Sequence, residues 1–410
     1  MEEIIYASIS TYCYENDINI NLPLNTETWL VKDLQLTSVD FVAIFQMIQN
    51  QLQDKISFIP LIMPVEGEYI TDLQVQQLCN FLHSPCTNNN TVAMKPDPNH
   101  YKVELINQTD LETLASHIYQ PEYQTQLCDL NYQVVFILSA PRSGSTLFQQ
   151  LLGTHPQIVS SEELHLMTYN TFADRHNALS KEGLSHLLNG TVRLRATLKN
   201  LTQQISAQVE NMYVIDSRPV TTFYNEINAH MAESILVDKT PSYSYSKNVL
   251  DRISKCFPNA KYIHLIRHPS AVVKSIIDSK LIDIIPFAVR SGLSKGKLPE
   301  LIWHLCERNI QQFLSFQNPS DVLTIKYETL LNDPKAQVDN VISYLGLTSD
   351  TSIDEYSKHS SQQFTPGFAG DLKYFLNTKI DPDRANAWKA FTSLHQISSL
   401  SIDLYNNVDE

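Results

Sequence analysis

The sequence predicts an α/β fold: a three-layer domain on a central parallel sheet, preceded by a small all-α domain of four helices. Three observations predict it. Short, nearly continuous apolar runs at 134–138, 235–237, 262–266 and 322–325 suit parallel strands buried on both faces. Helical patterns at 145–152, 270–280 and 300–316 alternate with them, the order that puts helices on both sides of a sheet. The first 83 or so residues carry helical periodicity alone. The expected divisions are 1–85 for the helical domain, 86–130 for a linker and lead-in segment, and 131–410 for the α/β domain. A chain of 410 residues is long enough to give each a core of its own.

In the first domain Phe41, Phe45, Ile48 and Leu52 recur at i, i+4, i+7 and i+11, one face of a helix beginning near Ser38. A second helix is expected from Thr71 to Leu82, where Thr71 and Gln74 have capping-box spacing and Leu73, Leu78, Phe81 and Leu82 are apolar. The stretch 84–100, with CTNNNT and KPDPN, is rich in turn formers and reads as a linker. Charge separates the two parts as well. Residues 1–90 hold 11 Asp/Glu against 2 Lys/Arg, so most of the net charge of −14 sits in the first quarter.

The apolar run at 134–138 ends in Ala140-Pro141-Arg142-Ser143-Gly144-Ser145-Thr146, and a helix follows. A strand, a tight turn and a helix N-terminus in that order aim successive backbone N–H groups at one point, which suits anionic oxygen. Gly144 lets a ligand approach the backbone, Arg142 adds charge, and the Ser145 and Thr146 hydroxyls can donate. No Lys follows Gly144, so the loop is not the GxxxxGK[ST] of a nucleoside triphosphatase. It suits a phosphosulfate better than a magnesium-bound triphosphate. A second anion grip is expected where the run 262–266 ends in Arg267-His268-Pro269, with Ser275 eight residues beyond Arg267. Two grips together suit a nucleotide phosphorylated at both ends.

PRSGSTL, EELHLM, DKTPSY, YIHLIRHPSAVVKS and KYETLLNDP occur in the order found in sulfotransferases that use 3′-phosphoadenosine 5′-phosphosulfate (PAPS). Over roughly 130–400 the chain resembles especially the sulfotransferases embedded in polyketide synthases that form terminal alkenes. The resemblance implies a P-loop-like fold, with Arg142, Ser143, Gly144, Ser145 and Thr146 on the 5′-phosphosulfate and Arg267, Ser275 and Tyr327 on the 3′-phosphate. PAP would be the product.

Sulfuryl transfer needs a hydroxyl nucleophile, a base for its proton and positive charge on the oxygens that gain charge. Glu163 follows Arg142 by 21 residues, after a turn at His155-Pro156 that can return the chain to the mouth of the site. Its place resembles that of the catalytic glutamate in related sulfotransferases, and Glu163 is the expected base. His165, two residues on within EELHLM, is the rival, histidine being the side chain suited to proton transfer near neutral pH. Lys239, after the run 235–237, is placed to stabilise the bridging oxygen as PAP departs.

Asp33-Leu34-Gln35-Leu36-Thr37-Ser38-Val39 before an amphipathic helix resembles the attachment site of acyl carrier proteins. The resemblance implies a 4′-phosphopantetheine arm on Ser38. Thr37 stands where that family usually has Asp. A carrier whose altered attachment sequence survives only as a docking surface is the alternative. A working carrier would raise the local concentration of its acyl chain at the transferase. The expected acceptor is then the β-hydroxyl of a 3-hydroxyacyl chain on phosphopantetheine, and the expected partners are polyketide synthase modules. With both domains assigned, a thioesterase that eliminates the sulfate would be a separate protein, or the sulfate ester would be the end product. Two other readings are a sulfotransferase for a free hydroxylated metabolite and a scaffold that has lost activity.

The acidic balance argues against nucleic-acid binding. No signal-like segment and no apolar run long enough for a bilayer occur, so a soluble, cytoplasmic protein without membrane partners is expected. Six cysteines without paired spacing read as reduced thiols, and no His/Cys/Asp cluster suggests a metal. Gly292-Leu293-Ser294-Lys295-Gly296 matches GxSxG but lacks a preceding buried strand, so it is set aside as a loop.

Overall fold

The computed structural model describes residues 2–15, 20, 23–34, 36, 38–52, 58, 61, 72–83, 103–120, 122, 130–161, 163–279, 281–348, 380, 382–386, 388–389 and 396–408. The chain divides into two compact units, one built on Met1–His100 and one on Tyr101–His359 with Lys379–Glu410.

In the first unit the described helices are Glu2–Glu15, Ser38–Leu52 and Val75–His83. Phe41, Phe45 and Ile48 are buried on the face that the spacing predicts. Ile5, Ile9 and Tyr12 of the first helix share a core with them and with Leu73 and Leu78. The last helix starts at Val75 and not at Thr71. The chain just before it is held extended, with Trp29 and Gln74 bridged and the Gln74 N–H bonded to Gln77 Oε1 at 2.9 Å. Gln35, Thr37, Thr71 and the linker 84–100 lie outside the described residues.

The second unit is built on five parallel strands: β1 (Val134–Leu138), β2 (Ile158–Ser160), β3 (Ile235–Lys239), β4 (Lys261–Ile266) and β5 (Val322–Lys326). Their order is β2-β3-β1-β4-β5. All five residues of β1 are buried. Val134, Phe136 and Leu138 enter one core with Tyr243, Phe257 and Tyr262, and Val135 and Ile137 must face the other layer because strand side chains alternate. Helices Ser145–Leu152, Pro269–Asp278 and Leu298–Leu314 agree with the predicted segments to within two residues at each end. β2 was not predicted. Ser291 to Lys297 is a loop between the helices Pro286–Arg290 and Leu298–Leu314, so Ser294 sits on no strand-to-helix elbow.

Four further helices, Phe172–Lys181, Asn189–Lys199, Gln203–Ile215 and Thr221–Asn228, lie between β2 and β3. Charged groups are buried inside this block: Glu210 bridges Arg175 at 3.1 Å and Arg195 at 2.9 Å, and Arg195 also meets Glu226 at 3.0 Å. The cysteines need one correction. Cys13, Cys79 and Cys306 are buried free thiols, but Cys256 is disulfide-bonded. No helix among the described residues is long and apolar enough to cross a membrane.

Two histidines tie stability to pH. His268 caps the helix Pro269–Asp278 by accepting the Ser270 N–H on Nδ1 at 3.2 Å, and its ring stacks 3.6 Å from that of Trp388. Burial pushes His268 down to about 4. His304, beside Ser401, is lowered to about 4 by burial and then by the charge of Arg308. Both are neutral when folded and bind protons more readily when unfolded, so their contribution is complete above about 6.5 and is lost as pH falls toward about 4. Thermal midpoints should therefore drop across that window. The drop should be smaller in His268→Asn, whose amide oxygen still caps but does not titrate; equal pH slopes in the two proteins would contradict the assignment.

Candidate active site

β1 feeds a tight curl. Arg142 (φ 67°) and Gly144 (φ 88°) are both left-handed, and the helix Ser145–Leu152 starts directly after them. A curl of this kind turns successive N–H groups toward one side, next to the positive end of the helix. Ser143, Ser145 and Thr146 are buried, and Ser143 Oγ has no hydrogen-bond partner among the described residues. A buried hydroxyl without a partner costs on the order of 1–3 kcal/mol, a cost that an anionic ligand oxygen removes. Gly144 is required twice, by its φ and by space: a Cβ there would stand 2.1 Å from Tyr327 Cε2.

The candidates for the second grip follow β4 and β5. Arg267, at the end of β4, donates from Nη1 to the Arg142 carbonyl at 2.9 Å and lies over the Tyr327 ring at 4.4 Å. Its carbonyl accepts from Trp303 Nε1 at 3.1 Å, which fixes the backbone. Arg267 Nε is buried without a partner among the described residues. Arg142 Nε donates to Ser275 Oγ at 3.1 Å. The structure thus brings Arg142, Gly144, Arg267, Ser275 and Tyr327 into one cluster, although 185 positions separate Arg142 from Tyr327. Two arginines and two unsatisfied buried polar atoms fit a ligand that carries several negative charges.

The β2–β3 half of the same sheet carries the candidate groups for proton transfer. Lys239, the last residue of β3 and fully buried, donates to Glu163 Oε1 at 2.8 Å. Glu163 follows β2 and keeps 21% of its side chain exposed, so it is open to an acceptor. His165 Nε2 lies 3.3 Å from Glu163 Oε2 without the alignment of a hydrogen bond, and its Nδ1 meets Ser242 Oγ at 2.9 Å. Burial alone would raise the Glu163 carboxyl. The Lys239 charge, with help from His165, outweighs it and holds Glu163 down to about 2. At neutral pH Glu163 is a carboxylate.

Read along the strand ends, the sheet order β2-β3-β1-β4-β5 becomes Glu163 and His165, Lys239, the curl 142–146, Arg267 with Ser275, and Tyr327. Strands are spaced about 4.8 Å apart, so the row spans roughly 19 Å. It crosses the boundary between β1, after which the chain goes to β2 on one side, and β4, after which it goes to β5 on the other, the switch point where open α/β sheets bind ligands. Ser38 belongs to the first unit, where it opens the helix Ser38–Leu52; its side chain lies outside the described residues. Sequence reasoning passed over Ser242, although it lies inside DKTPSY, and Gly190, which no pattern marks.

A family model described as the sulfotransferase family matches residues 134–351. The sulfotransferase domain of the Synechococcus PCC 7002 olefin synthase is 32% identical with a TM-score of 0.61, over 71% of this chain and 100% of that one. The sulfotransferase domain from the curacin biosynthetic pathway is 26% identical with a TM-score of 0.59, over 68% of this chain and 97% of that one. Nodulation protein NoeE of Sinorhizobium fredii is 21% identical over 65% of this chain and 62% of its own length, so the chain spans less than two thirds of that relative.

Proposed function

We propose, from the premise that the chain belongs to the sulfotransferase family, that it moves a sulfuryl group from PAPS to a hydroxyl, the β-hydroxyl of a 3-hydroxyacyl chain held on phosphopantetheine at Ser38. The observation that carries the transfer is the single row of a carboxylate, a buried lysine and two arginines across the ends of one sheet. PAPS, when bound, supplies the activated sulfuryl group. Arg142 and the N–H groups of 143–146 hold its 5′ end, and Arg267, Ser275 and Tyr327 its 3′-phosphate. Glu163 takes the acceptor proton. Lys239 shares its charge between Glu163 and the oxygen that gains charge, and the share leaving Glu163 makes the carboxylate more basic as transfer proceeds.

The acceptor class rests on two supports. The similar domains belong to an olefin synthase and to the curacin pathway, and the first unit combines an acidic composition, a helical fold and a serine at a helix start. Incubation with a phosphopantetheinyl transferase, 3-hydroxyacyl-CoA and PAPS should give an intact mass that gains first the acylated arm and then a sulfuryl group. An unmodified Ser38 contradicts the carrier role. Sulfation of free alcohols, with none on the loaded arm, points to a free metabolite and a first unit used for docking.

A further inference from the structure

The segment Glu163–Met167 carries both proton-transfer candidates, yet it belongs to no helix or strand. His165 within it is left-handed at φ 49°, a conformation that persists only when the surroundings enforce it. Its backbone groups need partners from elsewhere. The Leu164 N–H donates to Thr240 Oγ1 at 3.0 Å, and the N–H groups of Leu166 and Met167 donate to the Tyr243 hydroxyl at 3.1 and 3.3 Å.

A hydroxyl has one proton, so these two can accept from the segment only if their own protons point away from it. Both point to Asp238: Thr240 donates to Oδ1 at 2.8 Å, and Tyr243 donates to Oδ2 at 3.2 Å. Tyr224 adds a third donation to Oδ2 at 2.7 Å. Asp238 is fully buried; burial raises its carboxyl, and the donations from Tyr224, Thr240 and Tyr243 pull it back down. With three hydroxyls donating to its two oxygens, Asp238 acts only as an acceptor and fixes the polarity of all three. Strand alternation turns Lys239 to the opposite face. The end of β3 therefore holds Glu163 twice, by its side chain through Lys239 and, through Asp238, by the backbone that follows it. The far side is closed too: a Cβ at Gly190 would stand 2.4 Å from the Glu163 carbonyl, and Arg175 Nε donates to the Leu164 carbonyl at 3.1 Å.

We propose that Asp238 is a positioning residue for catalysis: by orienting the Thr240 and Tyr243 hydroxyls it sets where Glu163 and His165 stand. The inference rests on the transfer reading above. Asp238→Asn replaces an acceptor by a group that also donates, so at least one hydroxyl proton loses its acceptor and is free to turn toward the segment. A displacement of about 1 Å can cost on the order of 100-fold in rate. The expected result is a fall in kcat of about 10- to 100-fold, with PAP affinity unchanged because the anion grips lie on other strands. Thr240→Val should behave like Asp238→Asn, and Thr240→Ser should restore the rate. The ring signals of labelled His165, assigned by their loss in His165→Gln, should shift in Asp238→Asn and Thr240→Val but not in Thr240→Ser.

Unmoved His165 signals, or a wild-type kcat in Thr240→Val, would overturn the inference; the Thr240 pair decides it even where Asp238→Asn does not fold. A wild-type protein that transfers no sulfuryl group to any alcohol contradicts the transfer reading instead, and the His165 signals still test the positioning.

Discussion

Glu163→Gln is expected to lower kcat by about 10²- to 10⁴-fold, the usual contribution of a positioned base, while PAP binds as tightly as before. The glutamine oxygen can still accept from Lys239 Nζ, which reaches Glu163 at 2.8 Å, so neither the fold nor the curl around Gly144 has cause to change. The proton alone loses its acceptor. Because the Lys239 charge holds Glu163 down to about 2, the carboxylate is ionised at every working pH and the wild-type rate should show no acid limb from Glu163 above about pH 4. Full activity in Glu163→Gln moves the base role to His165, whose Nε2 stands 3.3 Å from the carboxylate.

Gly144→Ala is expected to weaken PAP binding by about 10- to 100-fold. Two costs combine. An alanine at φ 88° is strained by about 1–2 kcal/mol, and every 1.4 kcal/mol is about a factor of ten in affinity. The new methyl group also meets the Tyr327 ring, 2.1 Å away. That ring cannot yield freely, because Arg267 lies over it at 4.4 Å. The free protein would relieve the strain by opening the curl, and binding would have to close it again. Calorimetry with PAP measures this directly; undiminished affinity would show that the curl does not hold the ligand.

β1, β3 and β4 were legible because burial on both faces left mostly apolar residues, whereas β5 shows an apolar run although four of its five residues are only half-buried. β1 has five buried residues of five, and its run is visible at once. β2 is three residues long, with Val159 and Ser160 half-buried, too short and too mixed for any period to show. The helices between 172 and 228 were hidden for another reason: Arg175 and Arg195 are fully buried and neutralised by Glu210 and Glu226, so charge there does not mark the solvent face.

In the candidate site, the curl and the Arg267–Ser275 pair could be read because each lies in one short segment. Their closure could not. Arg142 bonding to Ser275 and Gly144 pressing on Tyr327 are products of strand order, which the sequence does not state. The same holds for Lys239 and Glu163, 76 residues apart, and for the Asp238 network beneath them. Side chains such as Asp238 and Tyr243 look ordinary until the hydroxyl protons are followed.

Titration of the purified chain with PAP in a calorimeter tests the central claim most directly. One saturable site per chain is the predicted result, abolished or strongly weakened in Arg267→Met, which keeps the stem over the Tyr327 ring but removes the charge. Absence of any uptake by the wild-type protein, or uptake indifferent to Arg267, would contradict the account.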